Sequence, residues 1–279
     1  MRLRCLLLAA FLIAARAAPG TADELPLWEA GFGFSGLSMP DYRGSSEQRS
    51  YLLPLPYMIY RGEILRSDRK GIYGQVFETD RVQLNISVDA SVPVTSDRNA
   101  ARSGMPDLDA TGQIGPALEV CLVKNCEADS IVQFRLPIRA VVATDFSRAH
   151  GIGYIANPQL NFDFTKIGSG RGWNLGFAFG PLFATEQYHR YYYDVSQDYA
   201  ISGVRSTYSA RAGYSGSLIL FAISKRFDRV WFGAYGRYDN LSNAVFADSP
   251  LVKTKHAYMA GIGFAWVFGE SATLVQATP

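Results

Sequence analysis

Residues 258–268, YMAGIGFAWVF, decide the fold, because large and small side chains alternate along them with a period of two. Most even positions carry large apolar side chains, and the run ends in the aromatic residues Trp266 and Phe268. Odd positions carry small side chains such as Gly261 and Gly263. Successive side chains of a strand point to opposite faces, so one face carries large apolar side chains and the other carries mostly small ones. The segment also has the length, roughly 9–11 residues, with which a tilted strand crosses a bilayer.

The same alternation recurs in four earlier segments, residues 82–90, 132–139, 159–164 and 173–180. One face carries apolar side chains, and the other carries polar, charged or very small ones. This fits a membrane barrel, whose lumen is polar and whose lipid face is an apolar band between aromatic girdles. The candidate lumen-facing residues are Asp89, Gln133, Arg135 and Arg139. The aromatic residues assigned to the girdles are Trp28, Tyr57, Tyr60, Trp173, Trp231, Tyr258, Trp266 and Phe268.

We therefore predict an all-β fold, a transmembrane antiparallel outer-membrane β-barrel, with a soluble β-sandwich as the alternative. Twelve strands are expected, because a bacterial barrel has an even number of strands with both termini in the periplasm, and ten strands are the alternative. The long connections then face outward; they are residues 39–49, 95–109, 185–211 and 240–255. The predicted strands are residues 28–38, 50–60, 63–68, 71–79, 82–94, 110–122, 130–142, 152–164, 173–184, 212–224, 229–239 and 256–268.

The first residues predict a cleavable signal peptide, residues 1–22. Arg2 and Arg4 precede an uncharged apolar run, and the small residues Gly20 and Ala22 stand where a signal peptidase cleaves. A buried N-terminal helix is the alternative. Removal of the signal leaves residues 23–279 as a single outer-membrane β-barrel domain, since no repeat divides them.

Two cysteines remain after removal of the signal peptide, Cys121 and Cys126, on either side of a polar hairpin turn. So close a pair can form a disulfide in an oxidising compartment, and two free thiols are the alternative. The three histidines, His150, His189 and His256, do not stand at metal-ligand spacing from the cysteines. We therefore expect no metal site and no cofactor.

Catalytic residues are not expected either. Asp145 and Ser147 lie near His150, but closeness along a turn does not make a nucleophile, a base and an acid converge in space. The sequence contains no G-x-S-x-G string. The formal net charge of +2 is too small to indicate binding of nucleic acid. The expectation is a protein that is not an enzyme.

Two loop segments, one charged and one rich in tyrosine, are candidates for a binding surface or a plug over the barrel mouth, since long ordered loops often carry function. Solvated loops with charges paired among themselves are the alternative. The candidate residues are Asp41, Tyr42, Arg43, Tyr191, Tyr192 and Tyr193.

Several ordered strings are similar to those of one protein family. They are PDYRGSSEQRSYLLPLPYMIYRGEILRSDRKG (residues 40–71), SVPVTSDRNAARSGMPDLD (91–109), IGPALEV (114–120), YYYDV (191–195) and DSPLV (248–252). On these strings the chain resembles the MipA/OmpV family over essentially its whole mature length. The resemblance implies an outer-membrane scaffold for murein synthesis, with a lytic transglycosylase of the MltA type and a penicillin-binding protein as periplasmic partners.

The alternatives to a scaffold are an adhesin, which other members of the family resemble, and a small-solute channel. The channel stays open as an alternative because inward arginines either pair across a narrow lumen or line a pore. Outer-membrane lipid is an expected partner in each case. The segment after Phe268, residues 269–279, departs from the usual barrel ending in a terminal aromatic residue.

Overall fold

The computed structural model describes residues 24–61, 65–68, 71–123, 130–145, 147–168 and 172–276. The predicted signal peptide, residues 1–22, and Cys126 lie outside these described residues. Strands dominate the described part, and no helix in it is long and apolar enough to cross a membrane.

Strands form in every segment for which the period of two predicted one, and two short strands are added at the ends. Among the described residues there is one α-helix, α1 (Glu186–Tyr193), and it lies in the longest connection. The strands are β1 (Glu24–Pro26), β2 (Trp28–Pro40), β3 (Gln48–Arg61), β4 (Leu65–Asp68), β5 (Gly71–Glu78), β6 (Val82–Ser91), β7 (Ala110–Val123), β8 (Ser130–Thr144), β9 (Ala149–Ala156), β10 (Gln159–Ile167), β11 (Trp173–Ala184), β12 (Gly213–Phe227), β13 (Val230–Asn240), β14 (His256–Glu270) and β15 (Leu274–Gln276).

Strands β2 to β14 form one antiparallel sheet that closes on itself. Both β9 and β10 pair with β8 on one side and with β11 on the other, so they are two halves of one interrupted strand. The interruption falls at Pro158, which has no N–H to donate, and the Asn157 side chain donates to the Pro181 carbonyl at 2.7 Å. With β9 and β10 counted as one, the described ring has twelve strands. The barrel fold and the twelve-strand prediction are confirmed.

The two ends of the barrel carry different connections. Residues 41–47, 92–109, 185–212 and 241–255 are the long connections, and they share one end. At the other end β1 pairs with β15, with Leu25 opposite Val275. Because a bacterial barrel keeps both termini in the periplasm, the end with the long connections faces outward.

Side chains alternate between the lipid face and the lumen. On β14, Ile262, Phe264 and Trp266 are exposed on the outer wall, whereas Ala257 and Ala265 on the opposite face are buried. An apolar outer face of this kind belongs in lipid, where a closed ring leaves no strand edge unpaired.

Two of the predicted girdle assignments are wrong, because Tyr57 and Trp231 face the lumen, with ring centroids 5.9 Å apart. Glycine makes room for them: a Cβ added to Gly233 would lie 2.4 Å from the Trp231 ring. The period of two could not reveal this on β3, since its two faces are both apolar. Leu52 faces outward and its neighbour Leu53 faces inward.

Leu118→Arg is expected to destabilise the barrel by about 2–4 kcal/mol, because Leu118 is an exposed lipid-facing residue in the middle of β7. Gln83→Arg is the matched control, since Gln83 faces the lumen opposite Glu119 on the neighbouring strand. This variant should lose less than about 1 kcal/mol of unfolding free energy. Urea unfolding in lipid vesicles measures both losses. Equal losses would show that the two faces are misassigned.

Candidate functional site

The four long connections pack into one body, which we call the cap: residues 41–47, 92–109, 185–212 and 241–255. Each connection contributes to a single buried cluster. At its centre the rings of Tyr193 and Phe246 stack with centroids 3.7 Å apart. The buried members are Tyr42, Val94, Ala101, Leu108, Tyr193, Val195, Ala210, Leu241, Ala244, Phe246 and Leu251. Loops that share a core are held as tightly as a small domain, so the cap is an ordered closure of the outer mouth.

Buried polar side chains join the cap connections to each other. Asn99, fully buried, donates to Asp41 at 2.8 Å and thereby links the second connection to the first. Arg102 donates to the Tyr192 carbonyl at 3.2 Å, and Arg205 donates to the Ala101 carbonyl at 2.9 Å. A buried charge is tolerated only when it is hydrogen-bonded, and these guanidinium groups donate to backbone carbonyls.

The loop residues predicted to form a binding surface or a plug lie largely inside the cap, and their burial fits the plug. Asp41, Tyr42 and Tyr193 are buried, and Arg43, Tyr191 and Tyr192 are partly buried. Their polar atoms are used internally. The Tyr42 hydroxyl donates to the Leu251 carbonyl at 2.8 Å, and the Tyr193 hydroxyl donates to the Arg43 carbonyl at 2.8 Å. Burial raises the pKa of both phenols, so they stay neutral. These residues hold the plug together.

His189 on α1 joins the cap to the top of β12. Its Nδ1 lies 2.5 Å from the Arg211 carbonyl and its Nε2 lies 2.5 Å from the Ser215 hydroxyl. The ring packs on Phe246, and burial lowers the pKa of His189, so the imidazole is neutral. Ser215 is fully buried, so this serine and histidine present no nucleophile to a substrate. The contact is a structural latch.

The other two histidines lie apart from one another at the outer end. His150 is exposed and its ring lies 6.1 Å from that of Tyr191, while the nearby Ser147 hydroxyl donates to Asp145 at 2.8 Å. His256 lies at the start of β14, on the outer wall. The prediction that the protein is not an enzyme stays a prediction.

Charge pairs connect the cap to the lumen wall. Asp239, fully buried on β13, accepts hydrogen bonds from Arg43 Nε and from Arg237 Nε, each at 2.8 Å. Arg43 belongs to the cap and Arg237 to the barrel, so one carboxylate fastens the plug to the wall. Removal of such a carboxylate would leave two guanidinium groups without their buried counterion.

The predicted lumen residues lie on the inner face of the barrel. Arg139 Nη1 donates to the Ser87 hydroxyl at 3.2 Å, and its Nη2 lies 3.7 Å from Asp89. Arg135 Nε lies 3.0 Å from Glu119, an ion pair by distance whose angle is poor for a hydrogen bond. Arg135 pairs with the neighbouring strand β7, whereas Arg139 reaches past β7 to β6, so each of these two guanidinium groups has a carboxylate near it.

The periplasmic end holds Cys121 and the paired ends of the described chain. Cys121 is disulfide-bonded and lies beside the buried Gln133. Cys126 lies outside the described residues, so the pairing of these two cysteines stays a prediction. In the part of the chain that the structure describes, no three His, Cys, Asp or Glu side chains form a group that could hold a metal ion.

Strands β1 and β15 form a two-stranded ribbon below the barrel, which we call the terminal ribbon. Backbone bonds from Leu27 to Thr273 and from Ser271 to Trp28, both 2.9 Å, continue its pairing up to the wall. Sequence reasoning missed the ribbon, because strands of three residues are too short to show a period.

A family model described as "MltA-interacting protein MipA" matches residues 32–268 of the chain. The match covers nearly the whole barrel, from β2 to β14. A comparison with curated proteins finds no match.

Solved structures similar to the chain include one hydrocarbon channel and two toluene transporters. The first is described as the CymD monoaromatic hydrocarbon channel, with 12% identity over 88% of this chain and 90% of that one, at a TM-score of 0.36. The Pseudomonas putida toluene transporter TodX has 9% identity over 86% and 89%, at 0.34. The Ralstonia pickettii toluene transporter TbuX has 8% identity over 89% and 71%, at 0.27.

Acidification is expected to loosen the cap through His189. Burial lowers the pKa of His189 below the ordinary 6.5, so the imidazole binds a proton more readily when the cap is unfolded than when it is folded. The contribution of His189 to the stability of the cap is therefore complete above about pH 6.5 and is lost as the pH falls below it. The equilibrium constant for opening of the cap rises by up to about tenfold per pH unit. Hydrogen exchange of residues 185–212, corrected for the intrinsic rate, measures the opening between pH 7.5 and pH 5.

His189→Gln should remove most of this pH dependence, whereas the control His256→Gln, on the outer wall, should leave it as in the wild type. A wild-type cap whose exchange is flat between pH 7.5 and pH 5 would contradict the latch.

Proposed function

The chain belongs to the MltA-interacting protein family, MipA, and we propose that it is an outer-membrane scaffold whose periplasmic end binds a lytic transglycosylase. It is an outer-membrane β-barrel protein, and the family model spans residues 32–268 of it. The name of the family supplies the class of partner. The geometry supplies the end of the molecule at which that partner is expected.

The observation that carries the proposal is the closure of the outer mouth. The cap has its own buried core, and the Asp239 carboxylate fastens it to the wall through Arg43 and Arg237. A barrel closed at its outer end by an ordered plug is better suited to hold a partner than to pass a solute. Its periplasmic end is the end that murein enzymes reach.

The terminal ribbon supports a specific mode of contact. It is a sheet of two strands, so it has two edges, and an extended segment of a partner can add to such an edge as a further strand. The exposed Leu274 offers an apolar contact at the same place. The area is small beside the roughly 1,000 Å² of a stable interface, so we expect reversible binding.

The scaffold extends to a penicillin-binding protein if a second partner uses the short periplasmic hairpins, such as the Asp228–Arg229 turn between β12 and β13. A synthase and a hydrolase held on one barrel would act on the same stretch of murein. This part of the proposal follows from the family resemblance.

Removal of residues 271–279, and β15 with them, is expected to lower capture of a purified lytic transglycosylase at least about tenfold. The matched control is Ile201→Ser with Val204→Ser, two exposed apolar side chains of the cap on the opposite end. Pull-down from detergent extracts measures capture, and a heat-dependent mobility shift on gels shows that both variants fold. Undiminished capture by the truncated protein would overturn the ribbon as the binding element.

A small-solute channel is the second candidate, favoured by the solvent-exposed carboxylate of Asp89 on the lumen wall. Conductance in planar bilayers separates the two functions. A scaffold with a closed cap should show almost no conductance at pH 7.5. The Asp239→Asn variant should conduct, because the substitution releases Arg43 from the wall. Steady conductance of the wild type at pH 7.5 would favour the channel. If the variant with Ile201→Ser and Val204→Ser loses attachment to cells, the result would favour an adhesin function.

A further inference from the structure

A groove on the lipid-facing wall near the outer end of the barrel belongs to neither the cap nor the lumen. Its volume of about 470 Å³ falls within the roughly 300–1,000 Å³ of small-molecule sites. Its floor is made by Gly236, Ala260 and Ser38, which lie side by side on β13, β14 and β2. Larger outward side chains stand around the floor; they are Ile219, Phe221, Tyr238 and Tyr258.

The floor of the groove lies within the outer leaflet. Gly236 is four residues below Asn240, the outer end of β13. That is about 14 Å along the strand and about 10 Å of depth at a tilt of about 45°. Acyl chains occupy this depth, and the exposed Ile219 and Phe221 provide apolar walls for one of them.

The outer rim of the groove is polar and basic. The Tyr238 hydroxyl lies 2.7 Å from His256 Nδ1 and their rings stack with centroids 5.9 Å apart, which fixes an exposed imidazole at the rim. Lys255, also exposed, precedes it in the chain. Gln48 Nε2 donates to the Tyr258 carbonyl at 3.0 Å and ties β3 to β14 across one side. An exposed imidazole at the rim of an apolar groove, with an exposed lysine next to it in the chain, matches a lipid with a phosphate above an acyl chain.

We propose that this groove binds lipopolysaccharide, the phosphorylated glycolipid of the outer leaflet, with one acyl chain over Gly236 and a lipid A phosphate at Lys255 and His256. A lipid fits better than a second copy of the chain, because a two-fold contact would bring the same cationic rim against itself. The proposal is independent of the scaffold function.

The test fills the groove without straining the backbone. Gly236→Leu is the test variant and Gly112→Leu is its matched control, because Gly112 also faces outward and neither glycine has an atom within 4 Å of an added Cβ. Ala260→Leu fills the same groove from β14 as a second variant. Each full-length mature protein in detergent micelles is titrated with purified rough-type lipopolysaccharide, and native mass spectrometry counts the bound lipid.

Wild type and Gly112→Leu should each retain one lipopolysaccharide, and the groove-filled variants should bind it at least about tenfold more weakly. Lys255→Gln with His256→Gln should weaken binding of lipopolysaccharide but not of its dephosphorylated form. Equal retention by the Gly236 and Gly112 variants would overturn the proposal. So would a protein dimer in place of the lipid adduct, or equal retention of phosphatidylglycerol.

Discussion

Every backbone N–H and C=O that passes through the membrane needs a partner within the protein, and the rest of this structure follows from that requirement. It forces the strands into a closed ring. The interruption between β9 and β10 is compensated by the Asn157 side chain, which donates to a carbonyl of β11. Closure also fixes which side chains face inward, so the barrel has to accommodate the charges of its polar face within a narrow lumen.

The lumen accommodates its charges by pairing them. Two arginines of β8 stand near carboxylates of β7 and β6. At the outer end Asp239 bonds to a wall arginine and a cap arginine together. The charge pairing of the lumen thus continues into the cap through Asp239 and Arg43. Its apolar core, centred on Tyr193 and Phe246, then makes the closure an ordered body.

The strand positions and the two faces could be predicted because a period of two reports directly on the pleat of a strand. It fails where both faces are apolar, as on β3, so the period places Tyr57 on the lipid face although its ring faces the lumen. A plug over the barrel mouth could be predicted as one alternative, but the residues that form its core could not. Loop residues such as Tyr42 and His189 have no period, and their burial depends on contacts between connections far apart in the chain. Tyr42 and Tyr193, predicted as candidate binding residues, pack in the core of the cap.

The terminal ribbon has a consequence for how the ring closes. The seam between β2 and β14 joins Ser38 to Ala260, so closing it confines a loop of more than 200 residues. By the logarithmic scaling of chain entropy this costs about 5 kcal/mol beyond a constant, and the seam should be among the last contacts to form. Once it has formed, the pairing of β1 with β15 adds three residue pairs with no further loop to confine. The ribbon therefore stabilises the seam after it has formed. Reopening of the ring becomes less favourable, because the ribbon pairs must break as well.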